Sequence, residues 1–312
     1  MILRPVRDDE EDADVVRAIA TAAFGAPRSL YGGTGGADGT GSPEAEGRRA
    51  DEDRFADGER PGQAARRRGR IRHLARTDPG GCWLIEDETA GPVGAVLSSR
   101  REGTWGLSLL AVTPDAQGKE VGKALLARAL VHGRACLRGI VCAPRHPVAV
   151  RTLRRAGFTL HPAMRLTGVA DPARLPALDG AVHEGTERHR DLMDSVDRRT
   201  RGGAHGADHE ELLRHHTLFV VDDLAGSGYC YARAGRVEAL AATSRRLAGR
   251  LLTAALAATP AGEQVTVNHL TASAEWAVDV GITAGLQIGN DGFVCLRGMR
   301  PPELWLPSTS LL

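Results

Sequence analysis

The chain has almost no excess charge. Forty Lys and Arg face 39 Asp and Glu, for a net charge of +1. That balance excludes a general electrostatic pull toward nucleic acid or an anionic membrane. It also lacks any CxxC pair. Cys82, Cys136, Cys142, Cys230 and Cys295 are odd in number and mostly sit in apolar runs. This argues against a disulfide framework or a zinc ribbon and for buried, reduced thiols. No apolar run reaches the length of a membrane span, and the opening MILRPVRDDEEDADVV has no apolar signal-peptide core. The expected setting is the cytoplasm, with neither nucleic acid nor membrane as a partner. Aromatic residues are few, at 4%. Ala, Gly and Arg are abundant, and the composition is that of a globular protein. At 312 residues, two domains are expected.

The most informative stretch runs from Gly106 to Leu130. GLSLLAV, residues 106–112, is short, apolar and bounded by Gly and by Thr113-Pro114, which fits a buried strand. From Val121, the apolar residues Val121, Ala124, Leu125, Ala129 and Leu130 recur at helical spacing. Between them lies Gln117-Gly118-Lys119-Glu120-Val121-Gly122. A loop opening onto a helix N-terminus presents free N–H groups and the positive end of the helix dipole, a ready site for a phosphate or pyrophosphate. Gly118 and Gly122 allow close backbone approach, and Lys119 and Lys123 add charge.

This stretch resembles motif A of the GCN5-related N-acetyltransferases (GNAT), whose loop reads Gln or Arg, two residues, Gly, one residue, Gly or Ala. A second match follows in HPVAVRTLRRAGF, residues 146–158, which is similar to the motif B helix ending in Gly-Phe. The resemblance implies that the loop binds the pyrophosphate of acetyl-CoA. It also implies that the pantetheine arm lies in a gap between the fourth and fifth strands, pairing with backbone near Leu110, Ala111 and Val112. The cofactor-binding set carried over is therefore Leu110, Ala111, Val112, Gln117, Gly118, Lys119, Val121, Gly122, Lys123, His146 and Leu153. Four positions depart from the pattern. Glu120 stands where the loop usually has its first Gly, placing a carboxylate beside the expected pyrophosphate. Leu153 replaces a frequent Tyr acid, Ser108 a frequent Glu base, and His146 a frequent Asn.

The rest of the chain reads in order. Residues 1–6 predict a strand, and Asp8 or Asp9 a capped helix through Ala23. Residues 25–69 read as a low-complexity, mobile insertion ending in the basic run Arg66, Arg67, Arg68, Arg70 and Arg72. That run reads as a solvated helix face, or alternatively as a contact for an acidic acceptor or a CoA phosphate. Strands at 82–86, 93–99 and 104–112 with short polar turns predict an antiparallel meander. Residues 138–143 predict a buried strand parallel to the fourth, reached by a helical crossover, and residues 158–166 a returning strand. Residues 168–178 read as a linker between domains.

Beyond the linker the order repeats. GKALLARAL from Gly122 parallels GRLLTAALA from Gly249, an offset of 127, and Gly157-Phe158 parallels Gly285-Leu286, an offset of 128. Agreement at two separate places indicates duplication. The second copy lacks the anion loop, having Ser244-Arg245-Arg246-Leu247-Ala248 in its place, so no CoA is expected there. Arg245 and Arg246 are the residues that could still make an anion site. Asn290-Asp291-Gly292, between short apolar runs, predicts a hairpin turn.

The expected fold is therefore α/β (α+β). It has two tandem GNAT-like domains, 1–167 and 179–312, each a mixed, mostly antiparallel twisted sheet flanked by helices. The expected function is acetyl-CoA-dependent transfer to a small-molecule amine. It resembles tandem acetyltransferases of actinobacteria, some of which serve natural-product biosynthesis or self-resistance. The alternative is a non-catalytic acyl-CoA-binding module. Candidate catalytic residues are Ser108, His146 and Glu102, with His161 as a further choice. Lacking a strong acid or base, the site suits an acceptor nitrogen already neutral at cellular pH. Arg198, Arg201, His205 and Asp208 could supply acceptor contacts. His205, His209, His215 and His216 have the wrong spacing for a metal site, and none is expected. A homodimer is a possible assembly.

Overall fold

A computed structural model describes residues 1–25 and 62–312. Their contacts form two compact units. One comprises Met1–Leu97 with Leu109–Val131, the other Ser98–Ser108 with His132–Leu312.

In the first unit, β1 (Ile2–Pro5) leads to α1 (Glu10–Phe24) and α2 (Gln63–Thr77). Then come β2 (Cys82–Asp87), β3 (Gly91–Arg101), β4 (Thr104–Val112) and α3 (Val121–His132). β2 lies antiparallel to β1, and antiparallel to β3 as the polar turn between them predicts. Asp9 caps α1 by accepting from the Asp12 amide at 2.8 Å. Asp12 is itself fully buried and bridged by Arg4 at 2.7 and 2.9 Å and by Arg7 at 3.0 Å. Burial opposes its charge, but the two guanidinium groups outweigh burial and hold the carboxyl well below its ordinary pKa.

The expected insertion at 25–69 is shorter than the sequence suggested. Residues 26–61 lie outside the described residues, while Gln63–Gly69 forms the first half of α2. The Arg run is thus helical, and much of its charge is met within the unit. Arg68 bonds Asp14 at 2.7 Å, Arg72 bonds Asp8 at 2.9 Å, and Arg76 lies 3.5 Å from Asp8. The acidic start of α1 is the counter-surface that single-segment reading could not supply.

The second unit begins with the end of β3 and the start of β4, then continues through β5 (Arg138–Ala143), α4 (Pro147–Arg155) and β6 (Thr159–Val169). The repeat follows as β7 (His183–Glu184), α5 (Arg190–Thr200), α6 (Asp208–Leu213) and β8 (Thr217–Asp223). It continues with β9 (Gly226–Arg233), β10 (Arg236–Ala242), α7 (Arg245–Ala257), β11 (Gln264–Leu270) and α8 (Glu275–Thr283). β12 (Gln287–Arg297) and β13 (Trp305–Leu306) complete it. From β1 to β6 and from β7 to β12 the order of strands and helices is the same, as the 127-residue offset predicts. Both Gly157 and Gly285 end a helix at positive φ, +87° and +82°, with the next amide reaching back to Leu153 and Gly281.

One expectation fails here. Asn290-Asp291-Gly292 is a bulge within a single strand, not a hairpin turn. β12 lies antiparallel to β5 on one side, Phe293 opposite Ala143, and antiparallel to β6 on the other, Ile288 opposite Leu166. β6 in turn pairs with β11. The last strand of the second copy therefore lies between the last two strands of the first. The tertiary pairing overrides the local turn preference of Asn-Asp-Gly. At Gly292 a Cβ would sit 2.3 Å from the Ala143 carbonyl, so only Gly lets these strands approach.

The core of this unit includes Leu240, Leu247, Leu251, Val265, Val267 and Leu166. Trp276 is an anchor of that core, 8% exposed, its indole N–H donating to the Glu303 carbonyl at 2.6 Å. None of the five cysteines is in a disulfide among the described residues; four are buried and Cys142 is half-buried. Burial pushes the Cys295 thiol up to about 12.

A chain ended at Leu178 would lack β12 and leave facing edges of β5 and β6 unpaired. Such a fragment is expected to aggregate or to elute as soluble oligomers in size-exclusion chromatography. A stable, monomeric fragment would show that β12 is dispensable.

Candidate active site

The predicted anion loop is built as its residues dictate. After β4 the chain turns through a 3₁₀ segment, Pro114–Ala116. The Gln117 side chain closes the turn by donating to the Val112 carbonyl at 2.9 Å. Gly118 takes φ +79°, with nothing within 4 Å of where a Cβ would be. Glu120 takes φ +62°, a left-handed conformation that favours Gly. This is the position at which the resembling loop has its first Gly, so the backbone keeps that shape although the residue has changed. The strain costs about 1 kcal/mol.

The Glu120 carbonyl accepts from the Ala124 amide at 3.0 Å, which starts α3. Val121, Gly122 and Lys123 therefore present first-turn N–H groups that have no acceptor within the helix. The Glu120 carboxylate does not fill this crown. Its side chain is 74% exposed and is bonded to Lys123 Nζ at 2.6 Å. Val121 is buried and anchors the loop, with Leu125, against β3 at Gly94. Lys119 is exposed. Of the β4 residues expected to pair with the cofactor arm, Ala111 is buried while Leu110 and Val112 are half-buried. The donor set, the open Gly118 and the outward carboxylate fit a pyrophosphate.

In the second unit, β4 pairs parallel with β5 from Thr104–Gly106 to Arg138–Ile140, as the crossover predicts. Ser108 is half-buried, and its hydroxyl oxygen has no hydrogen-bond partner among the described residues. His146 stands at the N-cap position of α4 without a side-chain capping bond; it is half-buried, and its amide donates to the Pro144 carbonyl at 2.8 Å. Leu153 is 4% exposed and belongs to the core. His161 Nε2 lies 3.0 Å from the Thr159 hydroxyl. Glu102 sits in the β3–β4 turn and is fully engaged. It accepts from Arg198 at 2.6 and 2.9 Å and from the Ala204 amide at 3.0 Å. Arg198, then Ala204, lower its pKa, which weakens it as a base.

The second copy treats the same features differently. Ser244 caps α7 with its own hydroxyl, accepting from the Leu247 amide at 3.4 Å. Arg245 pairs with Glu303 at 2.8 Å, and Arg246 pairs with Asp179. β10 and β11 run parallel at Arg236–Val237 and Thr266–Val267. Further along β10, β13 adds as an antiparallel strand, Leu240 opposite Leu306 and Ala241 opposite Trp305. The Ala242 amide donates to the Leu304 carbonyl at 3.0 Å. The segment at 304–306 thus takes the edge of β10 that corresponds to the β4 edge expected from the resemblance to pair with the cofactor arm. Sequence reading missed this, because a two-residue strand after Arg300-Pro301-Pro302 carries no periodicity.

Comparison with known proteins follows the same line. Residues 48–158 match the model of the acetyltransferase (GNAT) family. No curated protein matches the chain. A Pyrococcus horikoshii protein assigned as an acetyltransferase superposes with a TM-score of 0.69 at 14% identity, covering 99% of this chain and 95% of its own. A GCN5-related N-acetyltransferase from Sphaerobacter thermophilus does so with a TM-score of 0.53 at 12% identity, covering 99% and 98%. A tandem GNAT protein from the clavulanic acid biosynthesis pathway gives 0.52 at 12% identity, covering 96% and 99%. Among the described residues no helix is long and apolar enough to cross a membrane. Residues 48–158 are thus similar to the acetyltransferase (GNAT) family, and the chain's mixed, mostly antiparallel sheet flanked by helices is the fold of the superposed proteins.

Proposed function

We propose that this protein is an N-acetyltransferase that passes the acetyl group of acetyl-CoA directly to a small-molecule amine. The two copies of the repeat, residues 1–167 and 179–312, have separate tasks in this reading. The first holds the cofactor; the second completes the strand pairing and shapes acceptor contacts. The observation that carries the proposal is the loop at Gln117–Lys123. Its glycine-like backbone is retained and its one carboxylate is turned to solvent.

Gln117, Gly118, Val121, Gly122 and Lys123 would hold the pyrophosphate, with Lys119 adding charge, and Leu110 to Val112 would pair with the pantetheine. Acetyl-CoA, when bound, supplies an acetyl group activated as a thioester. The chain's part is then to place the amine and to take up its proton. Ser108, with its unpaired hydroxyl, is the group suited to hold the acceptor nitrogen or a water beside it. Neither Ser108 nor Leu153 can act as a strong base or acid. Glu102 is committed to Arg198. His146 remains as a proton acceptor beside α4. This inventory favours an acceptor nitrogen that is already neutral near pH 7, such as a hydrazine, hydroxylamine or aryl amine. A role in natural-product biosynthesis or self-resistance fits that acceptor class.

Two measurements test this. Thiol release from acetyl-CoA with a panel of low-pKa amines should proceed at a rate that changes little from pH 6 to pH 9. A tenfold rise per pH unit would mean that the acceptor must lose a proton first. CoA binding without release on any amine would make the protein a binding module instead.

The loop itself is tested by calorimetry with acetyl-CoA. Glu120→Gly removes left-handed strain and a negative charge near the diphosphate, and is expected to tighten binding about threefold, the effect of one screened charge. Gly118→Val forces a branched residue to φ +79° and should weaken binding by tenfold or more. If both variants bind as the wild type does, the diphosphate lies elsewhere.

A further inference from the structure

A second polar cluster, which acetyl transfer does not use, lies in the second copy of the repeat. Its centre is Asp197, on α5 and fully buried. One carboxylate oxygen accepts from the Tyr229 hydroxyl at 2.6 Å. The other meets the His205 amide at 2.9 Å, His205 Nδ1 at 2.6 Å and His209 Nε2 at 3.2 Å. His209 Nδ1 in turn lies 3.1 Å from the Tyr231 hydroxyl. Burial opposes the Asp197 charge, but these partners overcome it and hold the carboxyl ionised.

Two residues of this cluster have unmet bonding capacity. Arg201, which ends α5, is 3% exposed, yet none of its three guanidinium nitrogens has a hydrogen-bond partner among the described residues. His205 is also 3% exposed, and its Nε2 has no hydrogen-bond partner among the described residues. The charge of Arg201 acts on both Asp197 and His205, so the two unmet groups share one electrostatic neighbourhood. A guanidinium has five N–H donors and keeps its charge at any pH a protein meets. Left unpaired away from water, it is among the costliest groups a fold can hold. Asp197 attracts that charge through space but accepts no hydrogen bond from the guanidinium. The loop that follows is also firmly held. Arg101 is bonded to Asp208 at 2.6 and 2.9 Å, and Ala204 donates to Glu102 at 3.0 Å. Arg201 and His205 therefore belong to a braced segment.

We propose that Arg201 and His205 form a buried binding site for the carboxylate group of a small molecule. The planar guanidinium fork matches a carboxylate through two parallel bonds. His205 is oriented through Nδ1 by Asp197, and its Nε2 takes up one proton from solvent as the carboxylate binds, so that it can donate to the ligand's oxygen. The nearby Asp197 charge disfavours a dianion such as phosphate. The guanidinium face lies over the Trp305 ring, 5.8 Å from its centroid, and gives the site an apolar wall. Asp197, His205 and His209 also lie close enough together to suggest a metal ion. The cation beside them opposes a second positive charge, and His205 Nδ1 and His209 Nε2 are already bonded to the carboxylate. This proposal does not rest on acetyl transfer, and its test uses no CoA.

Thermal unfolding of the full chain is measured with sodium acetate, sodium phosphate, sodium chloride and zinc chloride, the sodium salts at matched ionic strength. Acetate is expected to raise the wild-type Tm more than chloride or phosphate does. Arg201→Met, which removes the unpaired charge, should melt about 3 °C higher than the wild type without ligand and lose the acetate response. Quenching or enhancement of tryptophan fluorescence by acetate, but not chloride, gives a second readout on the wild type alone. Four outcomes would overturn the proposal: a lower Tm for R201M, an equal response to all the sodium salts, stabilisation by zinc, or no effect of acetate in either readout.

Discussion

The position of β12 constrains much of what the second unit does. A buried strand must have its amides and carbonyls paired on both sides. β5 and β6 of the first copy have no direct pairing with each other in the sheet order; β12 lies between them. β11 of the second copy then pairs with β6 rather than with β12. Each copy thus completes its sheet with a strand of the other. A one-residue slip would turn Val294 and Leu296, both buried, to the opposite face. The bulge at Asn290–Gly292 fixes the register. There the Asp291 carboxylate accepts from the His269 amide at 2.7 Å, so the bulge is bonded to the end of β11. This explains why a second copy without an anion loop is still needed by the first.

The two copies show how few changes separate an open helix start from a closed one. In α3 the chain enters through left-handed residues at Gly118 and Glu120, and the first-turn amides face outward with Lys119 and Lys123 nearby. In α7 the entering residue is Ser244, extended at φ −150°, and its hydroxyl takes one of those amides. A serine cap stabilises a helix by about 1 kcal/mol, which favours the closed form where no ligand is present to satisfy the donors. The cations that follow are neutralised by Asp179 and Glu303, and β13 covers the neighbouring strand edge. Three separate devices close the second site, and each is made from the chain itself.

Much of this was legible in the sequence. The meander, the parallel crossover, the turn and helix start at 117–122 and the duplication all rest on local patterns: alternating or apolar runs, helical spacing, Gly at turns. What could not be read depends on residues far apart in the chain. Asn-Asp-Gly has the same local preference in a hairpin as in a bulge, and only Ala143 and His269 decide between them. The Arg run of α2 needs Asp8 and Asp14 to reveal its partners. Arg201 and His205 stood out as a cluster with Arg198 and Asp208, but the structure divides that cluster. Arg198 and Asp208 are bonded to the β3–β4 turn, while Arg201 and His205 gather with Asp197, Tyr229 and Tyr231. No spacing rule joins residues of a helix, a loop and a strand in this way.

Two of the places where local rules are broken show breaks of opposite kinds. Glu120 keeps a backbone that suits Gly, so the shape is retained although the side chain pays strain for it. Arg201 keeps a charge that the interior does not pair. A protein gains nothing in stability from either. Strain and unmet charge persist in folds where the surrounding structure over-determines them, and such places are commonly sites of binding. The surroundings differ as that view requires. Glu120 is exposed, and its strain matters only to the shape of the amide crown behind it. Arg201 is enclosed, so the ligand proposed for it is limited in size, a single carboxylate and not a nucleotide.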